Sequence, residues 1–377
     1  ITVGAIGLIL SISPVISNFR GEKSPSKKYF KLTILFSILV SIPFFLFLEI
    51  FLNYIDLFNL SSDMLPDIKN YIAICAWSIF PVAIFTAIKE FLQAYEHVKF
   101  TNFLMIFMVI LNTVLNIILT FGYGSIPALG VIGLSFATLF SRIIVTVIIL
   151  LYCIPLFKNK FIFSKKYMKD LFKTGTPISL AIFFEFLGFN LTAILIGKFS
   201  SLFAAVHNII LCLANFTFMI VLSISNAASV KIGFFNGAKD KKNIIKYSIA
   251  NLLLVLSVCC ATFTVLGLFG KQIISIFSCD SEVLTLTKQI LKIAMAFLFF
   301  DGIQSACVGI LKGLKDTKII MFTMLFSYIF IAIPVGCYLA FCKNIVLQGF
   351  WIGLALALFT ASIITGARVI YKIKIMD

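Results

Sequence analysis

Residues 91–99 read Phe-Leu-Gln-Ala-Tyr-Glu-His-Val-Lys, and residues 310–318 read Ile-Leu-Lys-Gly-Leu-Lys-Asp-Thr-Lys. The two stretches align at an offset of 219, and Gly130 matches Gly349 at the same offset. Nearer the start, Leu10-Ser11-Ile12-Ser13 recurs as Leu222-Ser223-Ile224-Ser225. Each of these leads into a basic loop around a glycine, Phe19-Arg20-Gly21 in one case and Phe235-Asn236-Gly237 in the other. The chain carries a repeat of about 216 residues, the second copy read in full and the first in part. What is repeated decides the fold.

The repeated material is apolar. Of 377 residues, 61% are hydrophobic and 12% are charged, and mean hydropathy is +1.11. A soluble domain is nearer half apolar and a quarter charged. That balance excludes a soluble enzyme, a disordered chain and a disulfide-stapled secreted domain. Apolar runs fall near 1–18, 31–55, 70–96, 100–122, 126–153, 171–198, 205–231, 243–268, 285–312, 317–341 and 347–371. Each is long enough to cross a bilayer as a helix. Six runs per repeat is an even number, so both copies insert with the same orientation. The expected fold is all-α and polytopic: two pseudo-symmetric six-helix bundles related by a parallel pseudo-two-fold about the membrane normal. The expected organisation is an N-terminal lobe over 1–153 with about five helices, a cytoplasmic linker over 154–170 and a C-terminal lobe of six helices over 171–377. By the repeat, the partner of 171–198 lies ahead of Ile1. The reading is therefore of a twelve-helix plan with its first helix missing from this chain.

Charge orients the runs. Of 31 Lys and Arg, 24 fall on one set of loops and helix ends, including Lys158 to Lys173 and Lys231 to Lys246. Five fall on the opposite set, which holds Asp56, Asp63, Asp67, Asp280 and Glu282. Basic loops stay in the cytoplasm, so the C-terminus is expected there too. The net charge of +16 then serves orientation and anionic headgroups, with no call for nucleic acid. The nine cysteines form no C-x-x-C pair and read as packing residues.

Acids inside spans are costly and are functional candidates by default. Glu49 and Glu90 lie near helix ends, where the cost is largely escaped. Glu185 and Asp301 lie mid-span with no adjacent base. Such a carboxyl can exchange a proton, hold sodium, which wants oxygen ligands, or hold the positive centre of an organic cation. Gln304 and Ser305 follow Asp301 at i+3 and i+4 and share its helical face. Asn190 and Thr192 follow Glu185. The candidate set for cation or substrate is Glu185, Asp301, Gln304, Ser305, Asn190 and Asn208, with Glu185 and Asp301 as the candidate sodium ligands. The competing reading is a polar pair that holds helices together. Arg142 is the base well inside a span; it either serves as a counter-ion for an acid or a substrate, or snorkels or bonds a loop carbonyl. Phenylalanines 183, 184, 186 and 189 surround Glu185, an arrangement that suits a flat cation but is also ordinary lipid-facing composition. Asn112, Asn116, His207, Asn215 and Asn226 are read as helix–helix bonds, His207 near an outer end. No Walker motif, nucleophile–base pattern or metal-binding His cluster is present. The expectation is of no enzyme and no cofactor, with an ion gradient, sodium or proton, as the energy source.

These residues resemble the MATE family of multidrug and toxic compound extrusion transporters, and within it the NorM-like branch. The matching stretches are Phe91 to Ala94, Leu111 to Asn116, Pro127 to Gly133, Gly175 to Glu185, Ala205 to Asn208, Asp301 to Gln304 running on to Gly309–Thr317, and Gly349 to Gly353. The resemblance implies a V-shaped pair of six-helix lobes, alternating access, and export of small lipophilic organic cations from a bacterial inner membrane as sodium or a proton enters. It implies cation and substrate roles for acids on the seventh and tenth helices, where Glu185 and Asp301 fall. Members also carry an acid on the first helix, and some carry one on the last, where this sequence has Ala355 and Ala357. A two-lobed repeat needs no second chain, so a monomer is expected. Two rivals stand beside this reading. A lipid-linked oligosaccharide flippase of the same superfamily would want buried bases, and only Arg142 is on offer. The other rival is a truncated remnant that does not transport.

Overall fold

The computed structural model describes residues 2–58, 64–124, 127–278 and 280–376, with side chains left undescribed at 2, 3, 57 and 58. Every regular element in it is helical: α1 (Thr2–Ile9), α2 (Ile12–Gly21), α3 (Phe30–Asn53), α4 (Leu65–Trp77), α5 (Ile79–Ala94), α6 (Lys99–Phe121), α7 (Gly130–Tyr152) and the short α8 (Ile154–Phe157). Then follow α9 (Lys165–Phe199), α10 (Ser201–Gly237), α11 (Lys241–Phe277), α12 (Ser281–Gly313), α13 (Lys318–Leu325), a π-helical turn (Phe326–Ala332), α14 (Ile333–Cys342) and α15 (Val346–Lys374). Among the described residues, ten helical segments are long and apolar enough to cross a membrane, with α4 and α5 together forming one. Their outer faces leave Phe47, Phe103, Ile106, Leu253, Leu268 and Phe330 exposed. Apolar surface of that extent asks for lipid rather than water.

The repeat is visible in the backbone. Lys23 (φ 55°) and Lys239 (φ 57°), 216 residues apart, both take the left-handed conformation in their turns. Glu96 (φ 66°) and Lys315 (φ 56°), 219 apart, do the same. Side chains other than glycine and asparagine seldom adopt that conformation, so its recurrence at both offsets is a structural signature of the duplication.

Two of the expected runs are broken. The run at 1–18 is two helices that part at Leu10–Ser11. There the Ser11 hydroxyl lies 2.7 Å from the Leu8 carbonyl and 3.2 Å from that of Leu171. The run placed at 70–96 starts at Leu65 and breaks at Ser78. Ser78 Oγ donates to the Cys75 carbonyl at 2.6 Å and accepts from Arg142 Nη1 at 2.5 Å. Pro81 lacks an N–H just past the break, and Thr146 Oγ1 donates to its carbonyl at 2.8 Å. Serine hydroxyls of this kind satisfy the backbone groups that a broken helix frees.

The chain divides into two compact units, Ile1–Ser179 and Leu180–Asp377. The division falls inside α9, and the second unit starts nine residues beyond the expected start of the second lobe. The segment 154–170 is not plain linker, since it contains α8 and the start of α9. The first half of α9 belongs to unit 1. Tyr167 is fully buried and its hydroxyl is 2.8 Å from that of Thr33. Gly175 comes so close to α1 that a Cβ would stand 2.8 Å from the Leu8 carbonyl. In unit 2, α12 is central and packs on α10, α11 and α15. Small residues set that packing: a Cβ on Gly309 would stand 2.5 Å from the Ser225 carbonyl. At the basic-turn end, Arg368 Nε donates to Asp316 Oδ2 at 2.7 Å, and Lys372 Nζ lies 3.6 Å from the same oxygen.

Candidate functional site

The site is built in unit 2 from the middles of α9 and α12 and from the π-helical turn. Asp301 is buried at 6% exposure, and Gln304 and Ser305, one turn along α12, are buried with it. Ser305 Oγ donates to Gln304 Oε1 at 3.3 Å, and Gln304 Nε2 reaches Met324 Sδ at 3.7 Å. These are weak partners for buried polar groups, which in proteins are normally well bonded. Glu185 comes from α9, half-buried by its exposed area, and lies within electrostatic reach of Asp301 and of Lys312. Two carboxyls within electrostatic reach of one another in a low-dielectric setting resist being ionised together, and a positive charge taken up beside them relieves that repulsion.

The third wall is a residue that sequence reasoning missed. Tyr328, in the π-helical turn, is fully buried. Its hydroxyl is turned toward Glu185 and within reach of Asp301, yet closes no hydrogen bond of ordinary geometry. Gly188, one turn along α9 from Glu185, makes this approach available, because a Cβ there would stand 2.6 Å from Tyr328 Cδ1. The same stretch buries the Thr323 and Ser327 hydroxyls without a partner among the described residues. π-helical turns recur at functional sites. The signal that was available in the sequence is a Ser-Tyr pair in mid-span, six residues ahead of Pro334.

The remaining candidates fall elsewhere. Asn190 is exposed, and its Nδ2 donates to the Phe186 carbonyl of its own helix at 2.7 Å. It lies five residues beyond Glu185, which turns it off the shared face. Asn208 is exposed near the start of α10. No hydrogen bond among the described residues joins either to the carboxyl pair. Arg142 is bonded in unit 1 to the Ser78 hydroxyl at the break between α4 and α5, a side-chain partner rather than a loop carbonyl. Glu90 is buried and paired to Lys89 at 3.2 Å, as its place near a helix end allowed. Glu49 lies with Asn53, Asp56 and Lys69 around an open cleft of about 530 Å³ at the far end of α3.

A stack of apolar helices around a buried pair of acids defines a multi-pass membrane protein of the transporter class. The model of the MatE family matches residues 1–118 and 177–338, and the chain belongs to that family of membrane transporters. It is 26% identical over 374 residues to the probable multidrug resistance protein NorM of Bacillus subtilis, covering 96% of this chain and 82% of that protein. The NorM-named protein of Photorhabdus laumondii is 29% identical over 363 residues, covering 92% of this chain and 78% of its own. Among solved structures, a MATE protein in the bent conformation superposes with a TM-score of 0.89 at 16% identity, over 99% of this chain and 84% of that one. The eukaryotic MATE transporter AtDTX14 gives 0.83 at 21% identity, over 98% and 84%. These structural likenesses concern the fold.

Proposed function

We propose that the protein is a cation-coupled antiporter that exports small lipophilic organic cations, drugs and toxic compounds among them, by alternating access. It works as a monomer in the cytoplasmic membrane of a bacterial cell, with the basic turns and the C-terminus inside and against anionic lipid. The observation that carries this reading is the Glu185–Asp301 pair. The two carboxyls lie in one membrane-spanning unit, backed by Tyr328, Gln304 and Ser305, with Lys312 within electrostatic reach of Glu185. The NorM-named relatives support the substrate class. Sodium or a proton entering the pair favours release of the organic cation, and the organic cation arriving from inside favours release of the ion. Coupling follows if the two compete for the same carboxylates or prefer opposite-facing states. A pyrophosphate-lipid cargo is disfavoured, because Arg142, the base offered to it, is engaged at Ser78.

The test is efflux of a fluorescent organic cation from cells expressing the protein, with Glu185→Gln and Asp301→Asn beside wild type, with and without sodium. The expected outcome is export by wild type and loss in both variants at equal membrane levels, with the sodium series naming the ion. Export by both variants at the wild-type rate would reduce the two acids to helix glue.

A further inference from the structure

His207 and Trp351 face one another near the N-terminal ends of α10 and α15, at the end of unit 2 opposite the Asp316–Arg368–Lys372 pairs. Their ring centroids are 5.6 Å apart. His207 is 1% exposed and Trp351 is 0% exposed. Neither imidazole nitrogen has a hydrogen-bond partner among the described residues, and neither does the indole Nε1. Three orphaned polar atoms on two adjoining buried rings is an expensive arrangement, since each forfeits its hydration with nothing in return.

No charged side chain among the described residues is hydrogen-bonded or ion-paired to His207. Lys271 on α11, Glu282, Lys288 and Lys292 on α12, and Lys343 ahead of α15 are all at least partly exposed. The pair therefore offers a neutral site. The indole N–H can only donate, and a neutral imidazole has one nitrogen that donates and one that accepts. The ligand that fits must accept from Trp351 and donate to His207. Water does both, and buried waters take this bridging role between otherwise unsatisfied groups. A bare cation does not fit, because an N–H dipole points its positive end at the site.

The pair also tops an aromatic column. Trp351 packs on Phe297 at 5.4 Å, Phe297 on Phe189 at 6.0 Å, and Phe189 on Tyr328 at 5.6 Å. Tyr328 stands beside Glu185 and Asp301, and Phe297 lies one turn from Asp301 on α12. The column runs from the His207–Trp351 end of the unit to the carboxyl pair.

We propose that His207 and Trp351 form a buried hydration site, and that its bridging water is the station through which a proton moves toward Glu185 and Asp301 from the outer side. The hydration site stands on the two rings alone; its role in entry rests on the antiport reading above. Phe297 is the apolar step between the two polar stations.

Trp351 shares the chain with one other tryptophan, the exposed Trp77. A Trp77→Phe background therefore lets the Raman marker of indole N–H hydrogen bonding report on Trp351 alone. His207→Ala leaves room for water, whereas His207→Leu fills the room with apolar atoms. The expected result is a bonded N–H in the Trp77→Phe parent and in His207→Ala, and a free N–H in His207→Leu. Organic-cation efflux should follow hydration: near parental in His207→Ala and down on the order of tenfold in His207→Leu at equal membrane levels. A free N–H in the parent overturns the proposal. So does a free N–H in both variants, which would mean a direct His207–Trp351 bond. A marker that behaves as expected while His207→Leu exports at the parental rate overturns the role in entry. If the parent itself exports nothing, the antiport reading falls with the entry role, and the Raman series still decides the hydration site.

Discussion

The last sixteen residues of α12 and the whole of α5 are two copies of one helix put to opposite uses. Where α12 has Asp301 and Gln304, α5 has Val82 and Phe85. Where α12 has Gly309, α5 has Glu90. In unit 2, Gly309 lets α12 close onto the α10 backbone at Ser225, which fixes Asp301, two turns away, against its neighbours. In unit 1, Glu90 fills the corresponding position and is neutralised by Lys89. A polar site needs rigid support within a fraction of an ångström. The copy that keeps the tight glycine contact is the copy that carries the acid, and the copy that gave up the contact has an apolar face in its place.

The strongest way to break this contrast is Gly309→Val. Its Cβ would stand 2.5 Å from a backbone oxygen that cannot swing aside. A loss of about 3 kcal/mol is expected, at the upper end for overpacking, read as a large fall in Tm in detergent. Glu90→Ala in unit 1 should cost less, about 1 kcal/mol. It breaks a buried pair, but Lys89 is 21% exposed and can turn to water.

Next in size is Gly188→Ala, whose Cβ would meet the Tyr328 ring at 2.6 Å. The expected cost is about 2 kcal/mol, with efflux falling on the order of tenfold as the ring leaves the carboxyl pair. Tyr328→Phe sharpens the reading, because it keeps the ring and removes the hydroxyl. It should lose efflux while keeping Tm; unchanged efflux would make Tyr328 a packing residue only.

The two turns make a smaller contrast. Asp316→Asn removes the partner of Arg368 and Lys372, and a loss of about 0.5–1 kcal/mol that shrinks with added salt is expected. In the matching turn of unit 1, Glu96→Gln acts on a 3.8 Å pair with Arg20 through a half-exposed carboxylate and should lower Tm by less than Asp316→Asn does.

How far the sequence could be read follows the same contrast. The turns at Lys23 and Lys239 were legible because charge and glycine recur there, and those at Glu96 and Lys315 because charge recurs, in a chain that is otherwise apolar. Glu185 and Asp301 stood out in the sequence because an acid in mid-span is costly to keep. The breaks at Ser11 and Ser78 were hidden, since hydropathy runs straight across a serine and the groups that repair each break, Leu171 and Arg142, are remote in sequence. Tyr328 was hidden for a similar reason: its place is set by Gly188 and by a π-helical turn, neither of which leaves a periodic mark. Asn190 misled by proximity in sequence, five residues being the wrong spacing for one helical face.

The smallest expected effect is at Asp240, which caps α11 by accepting from the Asn243 N–H at 3.0 Å and from its Nδ2 at 2.6 Å. These bonds hold the Asp240 carboxyl below its ordinary range. The cap is thus intact above the usual carboxylate value of about 3.9 and is lost as pH falls through the lowered one. The position matching Asp240 in unit 1 is Ser24, followed by Pro25 and a 3₁₀ turn over Ser26–Tyr29. Asp240→Ala should speed amide exchange in the first turn of α11 near neutral pH and leave the start of α3 untouched.

The embedding of α9 in unit 1 has a consequence for how the chain is made. Ser11 waits for Leu171, Gly4 for the Ser179 hydroxyl at 2.7 Å, and Thr33 for Tyr167. Unit 1 therefore cannot finish assembling until the first half of α9 has been made. The break at Ser11 stays unsealed until Leu171, 160 residues later in the chain, is in place. The stretch around Leu8 to Ser11 is where surveillance of a stalled or shortened product would find its handle.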